Sequence, residues 1–285
     1  MLDVLIALIP AFIASVIIFG ARSILVTGVC IVSCLLFEWG FTRIVKRPNT
    51  IRDFSAIITG VLLAFNLPVT IPIWQAVFGS AVAIVLVKQL FGGLGKNFAN
   101  PAITARIVMF LAFSVSMTNW VSPLDGVSAA TPLALIGRGD IEALPGIRDM
   151  ILGIHGGCLG ETSAITLAIG GAYLMIRRVI SWHTPVTYVV VVVILSALMG
   201  QAPVYQMFAG GLLLGAIFMA TDYVTTPQTN SGRLIFGVGA GVLTVVFRVY
   251  SSYPEGVSFA ILLMNILTPY INRLTETKPL GGRKA

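Results

Sequence analysis

Charged residues are scarce in this sequence. Asp, Glu, Lys and Arg make up 10% of the 285 residues, and hydrophobic residues make up 57%. A soluble domain usually carries about 25% charged residues. The composition therefore excludes a soluble globular protein. It predicts an all-α integral membrane protein, because a helix satisfies its own backbone hydrogen bonds in lipid.

Cysteine and histidine are also rare. The 3 cysteines and 2 histidines are too few for a disulfide framework and show no metal-ligand spacing. Cys30 and Cys34 share a helix face, but they lack a second pair of thiols. They are interpreted as packing residues rather than as part of an iron–sulfur site.

Basic residues are missing before the first apolar run, and no small-residue cleavage pattern follows it. A removable secretory signal is therefore not expected, and the first span is expected to stay in the protein. The formal net charge of +7 is attributed to anchors at the lipid headgroups. The lipid bilayer is thus an expected partner, and nucleic acid is not.

Apolar segments of two kinds alternate with short polar stretches. A helix needs about 20 residues to cross the bilayer. Seven of the apolar segments are about this long, at about 4–20, 22–39, 71–91, 103–120, 184–200, 233–249 and 255–271. Three more are short or interrupted, at 54–67, 163–176 and 206–221. The sequence predicts a polytopic protein with about ten transmembrane segments.

The positions of the basic residues predict the orientation. If every segment crosses, 13 of the 18 Lys and Arg residues fall on one side, 4 fall on the other, and Arg106 lies within a span. Lys and Arg accumulate on the cytoplasmic side. Both termini, including the 276–285 tail, are therefore predicted to be cytoplasmic, and the 121–162 loop is predicted to lie outside.

The two halves of the sequence, 1–120 and 163–275, resemble each other. The stretch 59–68 resembles 210–219, about 150 residues later, where Gly210, Gly211 and Gly215 suit close helix packing or a cofactor approached by the backbone. Five spans per half predict two inverted five-helix repeats with interrupted helices. Many transporters share this plan and place their sites near the midplane, where half-helices end.

Polar residues at the ends or inside of these segments are candidate site residues. Asn66 and Asp222 end two short segments and predict an internal cavity, although both are equally well explained as helix caps. Arg106 is the basic residue placed well inside a span, which makes it a functional candidate, although its stem is long enough to reach the interface. Glu38 is expected to pair with Arg43 or to serve an ion path.

The loop at 125–132 has two interpretations. Asp125 and Gly126 favour a tight turn, and Pro132 disfavours the helical region for Thr131, which would hold its hydroxyl on an extended stretch. Alternatively, Thr131 is the N-cap and Pro132 the first residue of a short helix. The local sequence is compatible with both.

A motif in this loop resembles a flavin acceptor site. Asp125, Ser128, Ala130 and Thr131 form the pattern Asp-x-x-Ser-x-Ala-Thr. This pattern resembles the motif at which a flavin transferase attaches FMN, through its phosphate, to a threonine hydroxyl. Ala129 stands where that motif usually has Gly.

The wider sequence resembles one membrane-protein family from about residue 20 to 275. This is the NqrB/RnfD family, whose members are membrane components of the Rnf electron-transport complex and of the sodium-pumping NADH:quinone oxidoreductase. Besides the ten-span plan and the Thr131 motif, the resemblance includes the Gly-rich 91–101 stretch with Asn97 and Asn100, the 220–227 segment with Asp222, and 252–256 with Glu255.

The resemblance implies a redox function in the plasma (inner) membrane. Electrons would pass through FMN on Thr131, within a complex that couples ferredoxin:NAD+ electron transfer to Na+ or H+ movement. It also implies a second flavin, non-covalent riboflavin, in the membrane part. The candidate residues for that flavin or for an ion path are Asn66, Asn100, Arg106, Asp222 and Glu255.

The resemblance further implies partner proteins, and alternative functions stay open beside the redox function. This chain has no nucleotide fingerprint and no iron–sulfur motif, so other Rnf subunits would hold the nicotinamide, ferredoxin and iron–sulfur sites. A flavin transferase would be needed for maturation. Five-plus-five inverted repeats also resemble urea-channel folds, so a small-solute channel or carrier remains an alternative, as does a purely structural membrane protein.

Overall fold

The computed structural model of the chain describes residues 1–48, 50–122, 130–161, 163–251 and 256–276. These residues form α-helices joined by loops and short 3-10 turns. Asp125, Ser128 and Glu255 lie outside the described residues.

The described residues of the first half contain six helices. They are α1 (Leu2–Phe19), α2 (Ala21–Ile44), α3 (Ser55–Phe65), α4 (Ile73–Ala81), α5 (Pro101–Ala112) and α6 (Ser114–Met117). Helix α4 continues as π-helical turns over Val82–Gln89.

The described residues after 122 contain eight helices, of which the first two lie in the 121–162 loop. They are α7 (Pro132–Arg138), α8 (Ile147–Leu152), α9 (Ala164–Ile176), α10 (His183–Leu198), α11 (Pro203–Phe208), α12 (Leu212–Leu214), α13 (Asn230–Tyr250) and α14 (Gly256–Thr275). Helix α12 continues as a π-helical turn over Gly215–Met219.

By length and composition, α1, α2, α13 and α14 could each cross a membrane. Five shorter apolar helices accompany them, namely α3, the α4 helix with its π-helical continuation, α5, α9 and α10. Helix α2 packs on α3, α1 on α9, and α13 on both α10 and α14. The result is an all-helical protein of the kind that the composition predicts.

One predicted span is broken where the sequence suggested a continuous run, and one segment that was predicted to be short or interrupted is broken as well. Helix α5 ends at Ala112, because Phe113 leaves the helical region with φ −133°. The 206–221 segment is interrupted at Gly210 and Gly211, which have φ of +65° and +66°. Glycine adopts this left-handed conformation without the steric cost that a side chain adds.

The C-terminal end of α3 lies inside the protein and is met by residues 155–161, which we call the docking loop. The Leu159 amide donates to the Leu67 carbonyl, and the Gly160 amide to the Phe65 carbonyl, both at 3.0 Å. Every docking-loop residue is buried. A Cβ on Gly160 would lie 2.2 Å from Cγ of Phe65. The docking loop thus supplies partners for the interrupted backbone, as an apolar interior requires.

Candidate functional site

Arg106 is the centre of a buried polar cluster. Its side chain is 3% exposed. One guanidinium nitrogen, Nη1, donates to Asn66 Oδ1 at 2.8 Å and to Ser258 Oγ at 3.3 Å, and Nη2 donates to Cys158 Sγ at 3.3 Å. The guanidinium therefore lies inside the protein and joins the end of α3, the docking loop and α14.

Two of the predicted asparagines meet at Met219, the last residue of the π-helical turn after α12. Asn66 Nδ2 lies 3.5 Å from Met219 Sδ, and Asn100 Nδ2 lies 3.5 Å from the Met219 carbonyl oxygen. Asn100 also caps the N-terminus of α5 with its side-chain oxygen. The structure therefore brings Asn66, Asn100 and Arg106 together, although each also has a local structural role.

Asp222 lies apart from Arg106 and faces a cavity. The cavity has a volume of about 140 Å³ and lies between elements of the two halves. Its polar lining includes Ser55, Thr59, Lys88, Asn97, Asn100, Thr221 and Asp222. Asp222 Oδ1 also accepts from the Val224 amide at 3.2 Å. Asn100 and Asp222 thus share this cavity, whereas Asn66 and Arg106 belong to the polar cluster.

Lys88 is a buried cation that the sequence analysis placed with the interfacial basic residues. It is 2% exposed and donates to Glu38 Oε1 at 3.0 Å, Glu38 Oε2 at 2.8 Å and Ser55 Oγ at 2.5 Å. Glu38 therefore pairs with Lys88, and the expected pairing with Arg43 is wrong. Arg43 instead lies over the Trp39 ring. The sequence contains one indication that Lys88 is buried, because apolar residues flank it on both sides.

Thr131 is the N-cap of α7. Its backbone is extended, with φ −70° and ψ 154°, and its Oγ1 accepts from the Ala134 amide at 3.2 Å. The helix-cap interpretation is therefore confirmed, with Pro132 as the first helical residue. The side chain is 8% exposed, and the preceding Ala130 is exposed.

A cation is held close to the start of α7. A Cβ built on Gly210 would lie 2.3 Å from Leu133 Cδ1 and 2.9 Å from Arg248 Nη2. Arg248 donates to the Gln206 carbonyl at 2.5 Å and to the Ala209 carbonyl at 2.8 Å. These bonds hold the Arg248 guanidinium beside Gly210. Leu133, which is two residues after Thr131, packs on the same glycine.

Cys30, Cys34 and Cys158 are free and buried. Among the described residues, no group of three or more His, Cys, Asp or Glu side chains is arranged to hold a metal ion.

Comparison with known proteins assigns the family. A model of the NQR2, RnfD, RnfE family matches residues 1–281. The chain belongs to this family. Membership confirms the resemblance that the Thr131 motif and the Gly-rich, Asp222 and Glu255 segments indicated.

Similar members of the NQR2, RnfD, RnfE family align over the whole chain. One is the D subunit of the Na(+)-translocating ferredoxin:NAD(+) oxidoreductase complex of Acetobacterium woodii, 43% identical over 100% of this chain and 91% of the relative. Another is the D subunit of the proton-translocating ferredoxin:NAD(+) oxidoreductase complex of Clostridium ljungdahlii, 39% identical over 100% and 92%. The D subunit of the ion-translocating oxidoreductase complex of Stutzerimonas stutzeri is 37% identical over 99% and 91%.

Proposed function

We propose that this protein is the membrane-embedded D subunit of an Rnf complex, which couples electron transfer from ferredoxin to NAD+ to the movement of Na+ or H+. The observation that carries the proposal is the full-length match to relatives named as the D subunit of such complexes. The nicotinamide and ferredoxin sites are assigned to other proteins of the complex.

The proposal includes ten crossings of the plasma (inner) membrane as two inverted five-helix repeats. Both termini are cytoplasmic and the 121–162 loop is outside. Nine apolar helices and the interrupted α11–α12 segment support the count. The likeness between 59–68 and 210–219 supports the repeat, because it pairs the third segment of one half with the third segment of the other.

Thr131 is the proposed attachment site of FMN. Oγ1 is the acceptor in the bond with the Ala134 amide, so this bond does not need the hydroxyl hydrogen that is lost when the phosphoester forms. The exposed Ala130 adds no bulk beside the hydroxyl. Asp125 and Ser128 are proposed to shape the turn that the flavin transferase recognises.

Bound flavin would supply one-electron and two-electron chemistry that no side chain provides. The role of Thr131 is to hold the ring close to its redox partner, which raises its effective concentration there.

The second proposed flavin site, for non-covalent riboflavin, is the cavity shared by Asn100 and Asp222. Small-molecule sites usually combine apolar walls with a few polar groups. The cavity shares this combination, because Ile58, Leu62 and Phe218 line it together with the polar residues. Asn97, Asn100, Lys88 and Asp222 are placed to bind the polar edge of a ring system.

The covalent flavin is tested by in-gel fluorescence of the denatured protein, after co-expression of the full chain with a flavin transferase. We expect a fluorescent band for the wild type and for Thr131→Ser. Thr131→Asn keeps a capping side chain but has no hydroxyl, so it should fold and be dark. A dark wild-type band, with the transferase active on a control substrate, would contradict the proposal.

The second flavin is tested in Thr131→Asn protein, which has no covalent flavin to interfere. Flavin released by denaturation is identified and quantified by chromatography. Thr221→Trp should fill the cavity and abolish the released riboflavin. The matched control is Ala112→Trp, because Ala112 is exposed at the end of α5, and it should leave the riboflavin in place. Equal flavin in both variants would place the second flavin elsewhere.

A further inference from the structure

Another polar pocket lies beside the cavity of Asp222, where α10 and α13 begin. It has a volume of about 150 Å³. Ser181 and Thr184 line it from the start of α10, and Gln228 and Arg233 line it from the start of α13. We call this space the Arg233 pocket. Its charged residue differs from those of the cavity, so the two spaces suit different ligands.

Arg233 supplies the positive charge of the pocket. Its Nε donates to the Pro227 carbonyl at 3.2 Å, and its Nη1 donates to Asn230 Oδ1 at 3.4 Å. In the described part of the chain, no carboxylate pairs with Arg233, and no acidic residue lines the pocket. Asp222 lines the neighbouring cavity instead. The Arg233 pocket therefore attracts an anion.

Two long helices begin at the pocket and add to this attraction. Helix α10 has 16 residues and α13 has 21. The first amides of a helix carry partial positive charge and commonly bind phosphate. A guanidinium beside them adds a planar fork of donors that matches the oxygens of a phosphate. The combination favours a phosphate group over a simple monovalent anion.

The threonines of the pocket supply acceptors. Thr221 and Thr226 line it. Thr221 Oγ1 donates to the Ile217 carbonyl at 2.6 Å, and Thr226 Oγ1 donates to the Ala220 carbonyl at 2.9 Å. A hydroxyl has one hydrogen and two lone pairs, so both oxygens can still accept. A ligand that carries hydroxyl groups next to its phosphate would match both the donors and the acceptors of the pocket.

Exposed aromatic residues place the pocket at the level of lipid headgroups. Trp182 lies next to Ser181 in the chain, Tyr223 lines the pocket, and both aromatic side chains are exposed. Trp and Tyr concentrate at the interface between membrane and water. Val179 also lines the pocket and is exposed, which offers an apolar surface to acyl chains. A phosphate is therefore within reach from the membrane.

We propose that the Arg233 pocket binds the headgroup of an anionic phospholipid whose phosphate carries a hydroxylated substituent, as in phosphatidylglycerol. Arg233 and Ser181 donate hydrogen bonds to the phosphate. The headgroup hydroxyls donate to Thr221 and Thr226. The bound lipid joins the turn before α10 to the start of α13, and its binding does not depend on either flavin.

Native mass spectrometry of the delipidated full chain in detergent tests this site. The probes are phosphatidylglycerol, diacylglycerol with the same acyl chains, and glycerol phosphate. We expect one tightly bound phosphatidylglycerol and no comparable binding of diacylglycerol, which lacks the phosphate. Glycerol phosphate at an equal concentration should not displace the lipid. Displacement would assign the pocket to a soluble phosphate ester and overturn the lipid assignment.

Three variants locate the lipid. Arg233→Gln keeps a hydrogen-bond donor but removes the charge, so it should weaken phosphatidylglycerol binding about tenfold. Ser181→Asp adds a carboxylate that repels the phosphate and leaves Arg233 in place, which preserves the test if Arg233→Gln does not fold. The matched control Arg273→Gln removes one charge from an exposed position in the last turn of α14 and should bind like the wild type.

The proposal is overturned if the wild type binds no phosphatidylglycerol, or if diacylglycerol binds as tightly. It is also overturned if the folded Arg233→Gln and Ser181→Asp variants bind phosphatidylglycerol as tightly as Arg273→Gln does.

Discussion

The Lys88 ammonium lies 3.0 and 2.8 Å from the two carboxylate oxygens of Glu38, and both side chains are almost fully buried. Ser55 and Thr50 hydroxyls complete the surroundings of this pair. Each charge is therefore stabilised by the other and by neutral hydrogen bonds, and removal of one partner leaves the other uncompensated.

Lys88→Met should destabilise the protein by about 3–5 kcal/mol, because Glu38 then remains as a buried unpaired charge. The double variant Lys88→Met/Glu38→Leu should recover most of that loss, because it removes both charges. Unfolding of the detergent-solubilised protein can be followed with a thiol-reactive dye, since Cys30, Cys34 and Cys158 are 0% exposed. A single variant as stable as the double variant would show that the pair contributes nothing.

Gly160→Ala should disrupt the contact between the docking loop and α3. The new Cβ would lie 2.2 Å from Cγ and 2.3 Å from Cβ of Phe65, and overpacking of this kind costs about 1–3 kcal/mol. Gly137→Ala is the control, because a Cβ there meets nothing within 4 Å. The same thiol assay should show a lower unfolding temperature for Gly160→Ala only.

Gly211→Ala should destabilise the protein by more than the strain of the left-handed backbone alone. Gly211 and Gly95 have similar φ values of +66° and +85°, but a Cβ at Gly95 meets nothing within 4 Å, whereas one at Gly211 meets Glu161. Gly95→Ala should therefore cost about 1–2 kcal/mol of strain, and Gly211→Ala clearly more. Equal unfolding temperatures for the two variants would mean that Glu161 moves aside freely.

Thr131→Ala should loosen the start of α7. The lost cap bond is worth about 0.5–2 kcal/mol, and the Ala134 amide should exchange its hydrogen faster. Thr131→Ser and Thr131→Asn keep a capping oxygen and should exchange like the wild type. Identical exchange in Thr131→Ala would show that Pro132 and the packing of Leu133 hold α7 without the cap.

Much of the helical plan could be predicted from the sequence, because apolar runs have a length set by the bilayer. The short helix α3 and the cap at Thr131 follow from local signals, namely a run that ends at Asn66 and a Thr-Pro pair.

The partners of the buried charges could not be predicted in this way. Lys88 bonds Glu38 across 50 residues, and Arg106 bonds Cys158 across 52. Such pairs depend on how helices pack, and packing has no signature in a single sequence. The role of the docking loop could not be predicted either, because a polar Gly-rich stretch between two spans is typical of a surface loop.

The docking loop also has a consequence for biosynthesis. The carbonyls of Phe65 and Leu67 receive their hydrogen bonds from Gly160 and Leu159, which leave the ribosome only after more than 90 further residues have been added. Until then, the 11-residue α3 ends with unsatisfied carbonyls, which lipid cannot solvate. The final hydrogen bonds at the end of α3 therefore form only after the docking loop has been translated.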